Sequence, residues 1–300
     1  MSTSVVGAVD VGGTTVKAGI LSGARLEPVA ASRPTPYGAD AVVDVIVDLV
    51  AELAASAELA AVGVALPGIV DEATGTGVRS VNLGWREVSF GDLLRDRLDL
   101  PVAVGHDVRA GALAEWQVGA GRGCDDLVFV PIGTGIAAGL VLGGRVHPAG
   151  GWAGELGHVD VGHDEACACG RRGCLEAIAS GAALARRLGD RTARTVAGAA
   201  EVAALVRRGD RDAVAVWDEA LDALALALDW TITLLAPEVV VLGGGVALAG
   251  DDLLRDPLEA RLAARLTFQR RPRLVLAELG DRAGCIGAGI LARELIGAGR

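Results

Sequence analysis

The strongest constraint on the fold is a repeated motif in which a strand, a turn of glycine and threonine, and a second strand follow one another. The first copy, VDVGGTTVKAGIL, occupies residues 9–21, and the second, VPIGTGIAAGLVL, occupies residues 130–142. The two copies align in outline once one gap is allowed. A hairpin repeated in this way predicts two related α/β lobes that face one another. A third glycine turn follows an apolar strand in VVVLGGGVA at 239–247.

The segments around these motifs alternate between helix and strand patterns. Helical periodicity runs through AVVDVIVDLVAELAAS, FGDLLRDRLD and DVRAGALAEWQVG, whereas LAAVGVALPG and PVAVGHD are typical of strands that end in turns. Strands alternating with helices predict an α/β sheet covered by helices. We therefore predict an N-terminal α/β lobe over 1–107, a C-terminal α/β lobe over 108–284 that contains a cysteine-rich loop, and a closing helix over 285–297 that packs back on the first lobe.

Composition narrows the class of protein. Apolar residues make up 51% of the 300 residues and aromatic residues only 3%, so the core relies on aliphatic side chains and on close packing at the 43 glycines. The net charge of −10 argues against nucleic acid as a partner, because neutralising phosphates needs a basic surface. We see no secretory signal and no uninterrupted apolar span, so we expect a cytoplasmic protein without a membrane partner. We expect Trp217 and Trp230 to pack between helices.

The glycine turns suit phosphate binding. Several N–H groups must converge on one phosphate, and glycines permit the backbone angles and the close approach that this requires. Thr14 and Thr134 would add hydroxyl donors. Neither turn is a Walker loop, because the GxxxxGK[ST] spacing is absent and Lys17 is misplaced for it, and no GxGxxG opens a helix after the first strand. A single turn of this kind is also an ordinary hairpin connection, but its repetition favours a phosphate site.

Three of the five cysteines lie close together in HVDVGHDEACACGRRGCLE, residues 158–176. His158, Cys167, Cys169 and Cys174 offer four soft or borderline ligands, which match a tetrahedral Zn²⁺ site. Cysteines one residue apart do not readily pair with each other, and the cytosol keeps thiols reduced. Because all four ligands come from the protein, we predict a structural zinc with no open position for a catalytic water. His163 is an alternative fourth ligand, and a group of ordinary buried thiols is the alternative to a metal site.

Asp107 is the candidate for acid–base chemistry. It ends a predicted strand and opens a predicted helix, and phosphoryl transfer to a hydroxyl needs a carboxylate that accepts the proton. The alternative role is a helix N-cap, which Asp fills without any catalysis. Glu155 and His158 are three residues apart, so a helical turn would place them on one face. For Glu155 and Glu176 the alternative is a solvated surface charge.

The motifs DVGGTTVKAG, PGIVD, IGTGIAAG, GELGH, CACGRRGCLE and VVLGGGV occur in this order. Together they resemble the ROK family of bacterial sugar kinases and sugar-responsive repressors, in particular its glucokinase-like members. The similarity runs over residues 5–296. It implies the actin-like ATPase fold, with two α/β lobes around a cleft, the sugar deep inside and ATP at the mouth. It also implies ATP, Mg²⁺ and a structural Zn²⁺ as cofactors, and assembly as a homodimer or homotetramer.

The resemblance assigns roles by position. It places the first phosphate loop at Asp10, Gly12, Gly13, Thr14 and Lys17, with Asp10 near Mg²⁺ or its waters. It places the second phosphate region and the border of the adenosine at Gly133, Thr134, Gly135, Gly243, Gly244 and Gly245. It assigns sugar binding to Gly68, Asn82, His106, Asp107, Glu155, His158 and Glu176, with one ring nitrogen of His158 on zinc and the other on the sugar.

At position 106 the sequence departs from the family pattern. The family has an Asn–Asp pair here, in which the Asp is the base and the Asn contacts a sugar hydroxyl, whereas this chain has His106 before Asp107. Histidine is bulkier and titrates near neutral pH, so the change affects the choice of substrate more than the chemistry. The alternative is a partly buried His106 without a ligand role.

The function that we expect is an ATP-dependent hexose kinase that phosphorylates the C6 hydroxyl, with Asp107 as the general base. Glucose is the default substrate, and N-acetylmannosamine, N-acetylglucosamine or a cyclitol are alternatives. A sugar-responsive repressor is not expected, because the first strand begins by residue 5 and leaves no room for a DNA-binding domain ahead of it. A non-catalytic sugar-binding relative is disfavoured by the retained Asp107 and glycine turns.

Overall fold

The computed structural model describes residues 4–23, 25–26 and 31–298. The strands are β1 (Val6–Val11), β2 (Thr15–Ser22), β3 (Arg25–Leu26), β4 (Ala31–Pro34), β5 (Val62–Leu66), β6 (Ile69–Asp71), β7 (Thr76–Ser80), β8 (Trp85–Val88), β9 (Val102–His106), β10 (Leu127–Pro131), β11 (Gly139–Val141), β12 (Val239–Gly243) and β13 (Arg273–Leu276). The α-helices are α1 (Ala39–Ala54), α2 (Phe90–Leu98), α3 (Asp107–Val118), α4 (Leu175–Ala179), α5 (Gly181–Thr192), α6 (Ala199–Arg207), α7 (Arg211–Leu235), α8 (Gly244–Ala247), α9 (Asp256–Arg265) and α10 (Ala283–Gly297).

The chain divides into two compact units. The first comprises Met1–Val118, Val146–Ala153 and Asp281–Arg300, and the second comprises Gly119–Arg145 and Gly154–Gly280. The domain prediction placed the boundary after residue 107 and assigned everything up to 284 to the second lobe. In the structure, α3 belongs to the first unit because it packs against α10. Segment 146–153 also belongs to the first unit, where its single turn of 3₁₀-helix packs against β6.

A mixed sheet forms the core of the first unit. Its strand order is β3-β2-β1-β5-β9, and β4 also pairs with β2. β1 and β2 form the predicted antiparallel hairpin, whereas β5 and β9 continue the sheet in parallel with β1. β5 is buried along its whole length and carries a continuous apolar run, which is typical of a central parallel strand. α1 covers the sheet with a buried stripe that includes Ile46, Leu49 and Leu53.

The closing helix α10 packs on β1 and β5 and against α3. The contacts are so close that a side chain would not fit at two glycines. A Cβ at Gly63 would lie 1.8 Å from the carbonyl oxygen of Ala288, and one at Gly287 would lie 1.9 Å from that of Ala110. The sequence therefore brings α10, α3 and the sheet together by removing side chains from the contact. This packing places the start of α10 beside the carboxyl end of β1, where the first glycine turn begins.

The second unit is built on a smaller sheet with the order β11-β10-β12-β13. β10, β12 and β13 are parallel, and β11 runs antiparallel to β10 as the second predicted hairpin. The long helix α7 buries Trp217, Leu224 and Leu228, and the Trp217 indole N–H donates to the carbonyl of Leu253 at 2.8 Å. Trp230 was expected to pack between helices, but it is 55% exposed because two residues after Leu228 the helix has turned to its outer face.

A third, antiparallel sheet of β6, β7 and β8 belongs to the first unit. Its β7–β8 turn carries Asn82, which is exposed. Throughout the described ranges, every helix is too short or too polar to cross a lipid bilayer.

Candidate active site and metal centre

The first glycine turn joins β1 to β2 and is braced by the residue that follows β4. The Gly12 N–H donates to the carbonyl of Thr15 at 3.0 Å. The Thr35 N–H donates to the carbonyl of Thr14 at 3.0 Å, and its hydroxyl donates to the carbonyl of Gly12 at 2.7 Å. Gly13 and Thr14 are exposed. The turn therefore has a fixed backbone and an open face, which is what a phosphate-binding turn needs.

Asp10 lies on β1 beside the first turn of α10. A Cβ at Gly284 would lie 2.3 Å from Asp10 Oδ2, so a glycine is required for the carboxylate to rest there. Burial raises the pKa of Asp10 to about 6, although the Lys17 ammonium opposes the rise. Lys17 itself pairs with Asp281 Oδ2 at 3.0 Å. The lysine assigned to the nucleotide by resemblance thus has a carboxylate partner in its own unit.

Asp107 is the first residue of α3 and follows β9 directly. Its side chain is 28% exposed. The Val108 N–H donates to Asp107 Oδ1 at 2.7 Å, and His106 Nε2 lies 3.3 Å from the same oxygen. Burial, reinforced by the negative charge of Asp10, raises the pKa of Asp107 to about 7. A carboxyl group with a pKa near neutrality has the affinity for a proton that general-base catalysis requires.

His106, and not Asp107, provides the N-terminal cap of α3. His106 Nδ1 accepts the N–H of Arg109, three residues on, at 3.4 Å, which is the bonding pattern of an N-cap residue. The carboxylate of Asp107 accepts from its immediate neighbour Val108 instead. The capping role that competed with catalysis for Asp107 is therefore filled by the preceding residue.

The His106 ring is buried and neutral. Burial, together with the Arg109 charge, lowers the pKa of His106 to about 3. This corrects the expectation that the histidine titrates near neutral pH, because that expectation assumed a solvated ring. Both ring nitrogens face groups of the protein, Nδ1 the N–H of Arg109 and Nε2 the carboxylate of Asp107.

A buried ion pair that the sequence analysis missed lies behind these residues. The Arg109 side chain is 2% exposed, and its Nε donates to Glu72 Oε1 at 2.8 Å. The guanidinium also donates to the carbonyls of Val70 and Gly151 at 2.9 and 3.3 Å. Glu72 Oε1 accepts the backbone N–H of His106 at 3.0 Å as well. No motif distinguished Glu72 or Arg109 from surface charges, since their meeting depends on the tertiary packing of β6 against β9, the strand that leads into α3.

The second and third glycine turns lie side by side in the second unit. They follow the neighbouring parallel strands β10 and β12, with Pro131 paired to Gly243. The Ile132 N–H donates to the carbonyl of Gly243 at 2.8 Å, and the Val246 N–H donates to the carbonyl of Ile132 at 2.9 Å. Residues 133–135 and 243–245 therefore meet at the carboxyl edge of one sheet, the edge at which open α/β sheets bind ligands.

Glu176 connects the cysteine-rich loop to the second glycine turn. Its Oε2 accepts the N–H of Ile136 at 2.9 Å, and a Cβ at Gly135 would lie 2.4 Å from that oxygen. The turn therefore needs a glycine at this position for the carboxylate to reach it. The side chain is half-buried, which is incompatible with the alternative of a fully solvated surface charge.

The four predicted metal ligands converge. The ligand atoms of His158, Cys167, Cys169 and Cys174 all lie within 4.8 Å of one another. Cys167 Sγ is 3.8 Å from His158 Nδ1, and Cys169 Sγ is 3.6 Å from Cys174 Sγ. Ligands about 2.0–2.3 Å from a tetrahedral Zn²⁺ are separated by roughly 3.5–3.8 Å. The donor set and these two spacings fit zinc.

The contacts of the two histidines distinguish the alternatives for the fourth ligand. His158 directs Nδ1 at Cys167, while its Nε2 lies 3.8 Å from Glu155 Oε2. His163 Nδ1 accepts the N–H of Glu165 at 3.0 Å, and its Nε2 lies 3.1 Å from the carbonyl of Cys174, to which it donates. Both ring nitrogens of His163 are therefore engaged, and His158 is the histidine whose nitrogen faces the sulfurs.

The other residues assigned to the sugar lie in the first unit. Gly68 follows β5 with a φ of 93°, and a Cβ there would lie 2.3 Å from the carbonyl oxygen of Arg79, so only glycine fits. Asn82 is exposed in the turn between β7 and β8. Glu155, in the second unit, is exposed beside His158.

Comparison with known proteins gives the following similarities. The sequence model of the ROK family matches residues 6–295. A glucokinase of Thermotoga maritima is 34% identical over 309 residues, covering 96% of this chain and 97% of that protein. The structure of a ROK family glucokinase from Streptomyces griseus in complex with glucose and AMPPNP matches with a TM-score of 0.85 at 31% identity, covering 97% of this chain and 100% of that one. The DNA-binding transcriptional dual regulator NagC of Escherichia coli is 32% identical over 255 residues, covering 79% of this chain and 61% of the regulator.

Proposed function

The chain is a sugar kinase of the ROK family with the actin-like ATPase fold, and we propose that it transfers the γ-phosphoryl group of ATP to the C6 hydroxyl of glucose, with Asp107 as the general base. The observation that carries this proposal is the environment of Asp107. Its carboxylate is largely buried beside Asp10, has a pKa raised to about 7, and is relieved of helix capping by His106.

In the proposed reaction, Asp107 accepts the proton of the sugar hydroxyl as the hydroxyl oxygen attacks the γ-phosphorus. The new oxygen–phosphorus bond forms while the bond from the γ-phosphorus to the bridging oxygen breaks, and ADP leaves. Oδ1 of Asp107 already accepts the Val108 N–H, so Oδ2 is the oxygen that takes the proton. The phosphorylated sugar and the protonated Asp107 are the products of the step, and the proton then passes to solvent.

The glycine turns and Asp10 serve the nucleotide in this proposal. The N–H groups of residues 12–14 and 133–135 bind phosphate oxygens, and residues 243–245 border the adenosine. Asp10, with a pKa of about 6, is mostly ionised at neutral pH and so is able to hold Mg²⁺ or its waters. Bound Mg²⁺ would neutralise charge that develops on the phosphates. The ammonium of Lys17, paired with Asp281, opposes the rise in the pKa of Asp10, which is a different role from direct phosphate binding.

We assign hydroxyl binding to Asn82, Glu155, His158 and Glu176. The two carboxylates accept hydrogen bonds from sugar hydroxyls, and His158 uses Nε2, because its Nδ1 faces the sulfurs. Zn²⁺ held by His158, Cys167, Cys169 and Cys174 would fix the loop that carries these groups. His106 Nδ1 accepts the Arg109 N–H, so Nε2, which lies 3.3 Å from Asp107 Oδ1, is the ring nitrogen that remains for a hydroxyl.

The test is ADP release measured in a coupled assay with a panel of glucose, N-acetylmannosamine, N-acetylglucosamine and a cyclitol. We expect the highest kcat/KM with glucose. 6-Deoxyglucose is the matched control, because it lacks only the reacting hydroxyl and should compete with glucose without turnover. A higher kcat/KM with an N-acetylated sugar or the cyclitol would overturn glucose as substrate.

The class of protein is tested by the same panel. Binding of a sugar in calorimetry without ADP release from any member would favour a sugar-responsive regulator over a kinase, and NagC among the relatives is a DNA-binding transcriptional regulator. Light scattering during gel filtration tests the proposed homodimer or homotetramer, and elution as a monomer would contradict it.

A further inference from the structure

The backbone on both sides of Asp107 is held by a carboxylate from a different strand. Glu72 directly follows β6, and its Oε1 accepts the backbone N–H of His106 at 3.0 Å. The same oxygen accepts the Nε–H of Arg109 at 2.8 Å. One carboxylate oxygen therefore binds the residue before Asp107 and the residue two positions after it, and it links the end of β9 to the first turn of α3.

The location of the Asp107 carboxylate depends on this backbone. The carboxylate accepts the N–H of Val108, the next residue of α3, at 2.7 Å. A carboxylate bonded within its own turn moves with that turn, so whatever fixes the turn also fixes the carboxylate. A general base must lie within hydrogen-bond reach of the proton that it takes, and a displacement of about 1 Å can lower the rate about 100-fold.

The other half of the ion pair is held equally firmly. The Arg109 side chain is 2% exposed, and its guanidinium also donates to the carbonyls of Val70 at 2.9 Å and Gly151 at 3.3 Å. The guanidinium thus joins α3 to β6 and to segment 146–153, all within the first unit. A buried ion pair contributes little net stability compared with apolar side chains of the same volume, whereas its directional bonds hold the joined segments in one geometry.

We propose that Glu72 is a positioning residue for the general base, and that its Oε1 fixes the turn from β9 into α3 by holding the backbone of His106 and the side chain of Arg109. The role depends on where the oxygen lies, because both hydrogen bonds end on that one atom. A side chain that places an oxygen acceptor at the same point should serve the base, even without a negative charge.

Two substitutions separate the position of the oxygen from its charge. Glu72→Gln keeps an oxygen acceptor at the same distance from the backbone and removes the charge. Glu72→Asp keeps the charge and draws the carboxylate back by one methylene, about 1.5 Å, so that it no longer reaches both donors. We expect Glu72→Gln to keep kcat within about threefold of wild type and Glu72→Asp to lose about 10–100-fold, with the glucose KM within about threefold in both.

The matched control is Asp71→Ala, because Asp71 is the acidic residue next to Glu72 in the same turn. Asp71 Oδ1 accepts the N–H of Ala73 at 3.1 Å, and Oδ2 accepts the hydroxyl of Thr74 at 3.0 Å. The variant weakens this turn but leaves Oε1 of Glu72 in place, so its kcat should stay within about twofold of wild type. Urea denaturation gives the fraction of each variant that is folded under assay conditions, and kcat is expressed per folded protein.

Four results would overturn this role. An unchanged kcat per folded protein in Glu72→Asp would leave the ion pair with a function in stability alone. A larger loss of kcat in Glu72→Gln than in Glu72→Asp would show that the charge acts and not the position. A raised glucose KM with unchanged kcat would show that Glu72 serves sugar binding. An equal loss of kcat in Asp71→Ala would assign the effect to the turn as a whole.

Because this inference rests on the proposed function of Asp107, Asp107→Asn is measured alongside. A fully active Asp107→Asn would refute the general base and the positioning residue together. An inactive Asp107→Asn with a wild-type kcat in Glu72→Asp would refute the positioning residue alone.

Discussion

The region around Asp107 and the cysteine-rich loop at 158–174 are both chemically specialised, but different forces hold them. Around Asp107 the polar groups lie on β9 and α3, the Arg109 side chain is 2% exposed, and its charge is met by Glu72. The cysteine-rich loop has only two isolated bridges, Asp160 with Cys174 and Ala166 with Arg172, and most of its residues are exposed or half-exposed. A region built from packed strands and helices positions its side chains without a metal, whereas a loop with little regular structure and few buried residues would be fixed by a metal cross-link.

Removal of zinc should act on the cysteine-rich loop and leave the region around Asp107 unchanged. Structural zinc contributes about 10–16 kcal/mol of binding free energy in small zinc domains. We expect chelation, or Cys174→Ser, to raise the glucose KM at least about tenfold, because the loop carries His158 and Glu176. The acidic limb of the pH–rate profile, which is set by Asp107, should stay at the same pH. Elemental analysis measures the zinc content, and steady-state kinetics measure the glucose KM and the pH–rate profile.

The control is Cys124→Ser, which replaces a buried thiol outside the cluster and should keep one equivalent of zinc. Well under half an equivalent of metal in freshly purified, unchelated wild-type protein would contradict the zinc site.

Removal of Glu72 tests the protein-only region. Glu72→Ala leaves the buried Arg109 guanidinium without its carboxylate, and we expect the free energy of unfolding to fall by about 3–5 kcal/mol. The free energy of unfolding should fall less in Glu72→Gln, because this variant keeps a hydrogen-bond acceptor. The control is Glu52→Ala. Glu52 pairs with Arg33 at 2.5 Å, and both side chains are about half exposed. We therefore expect this variant to lose only about 0–1 kcal/mol of the free energy of unfolding. Urea denaturation measures all three, and equal losses at positions 72 and 52 would show that burial of the pair does not matter.

The raised pKa of Asp107 predicts a dependence of stability on pH. The folded-state pKa of about 7 lies above the ordinary value of 3.8, so the folded protein binds more protons between these values. The stability that the protonated carboxyl of Asp107 contributes is fully present below pH 3.8 and is lost as the pH rises through 7. Asp107→Asn removes this dependence, and at pH 8 it should be more stable than wild type by about 2–4 kcal/mol. The difference should vanish near pH 4 in urea denaturation, and a constant difference at both pH values would be inconsistent with a raised pKa.

The two histidines of the loop give the smallest expected difference in stability and a clear difference in metal content. His163→Ala should keep one equivalent of zinc and lower the free energy of unfolding by about 1 kcal/mol, because it loses only the hydrogen bonds to Cys174 and Glu165. His158→Ala should lose most of the zinc. Metal content is measured on both variants purified in parallel, and retention of zinc by His158→Ala with loss by His163→Ala would reverse the ligand assignment.

The sequence was informative wherever function is encoded by local spacing. The candidate ligands at 158, 167, 169 and 174 were predicted from spacing and donor chemistry, and the structure brings their ligand atoms within 4.8 Å of one another. The two hairpins with their glycine turns were predicted from the repeat and are present. The residues that were missed depend on tertiary packing. Glu72 and Arg109 meet because β6 packs against β9, the strand that leads into α3, and no local pattern records that contact.

Burial was the property that pattern reasoning estimated least well. His106 was expected to titrate near neutral pH, but its ring lies under α3, where desolvation lowers its pKa to about 3. Trp230 was expected in the core because it is apolar, yet its helix position points it outward. The predicted boundary at residue 107 fell inside the first unit for the same reason, because the helix that follows it packs on α10 rather than on the second sheet.

The measurement that tests the central claim most directly is the kcat of Asp107→Asn with glucose at saturating ATP, compared with wild type and with Asp96→Asn on the exposed side of α2. We expect Asp107→Asn to lose about 10²–10⁴ in kcat with its glucose KM within about threefold, and Asp96→Asn to match wild type. A kcat of Asp107→Asn within about tenfold of wild type would mean that the carboxylate does not accept the proton of the sugar hydroxyl.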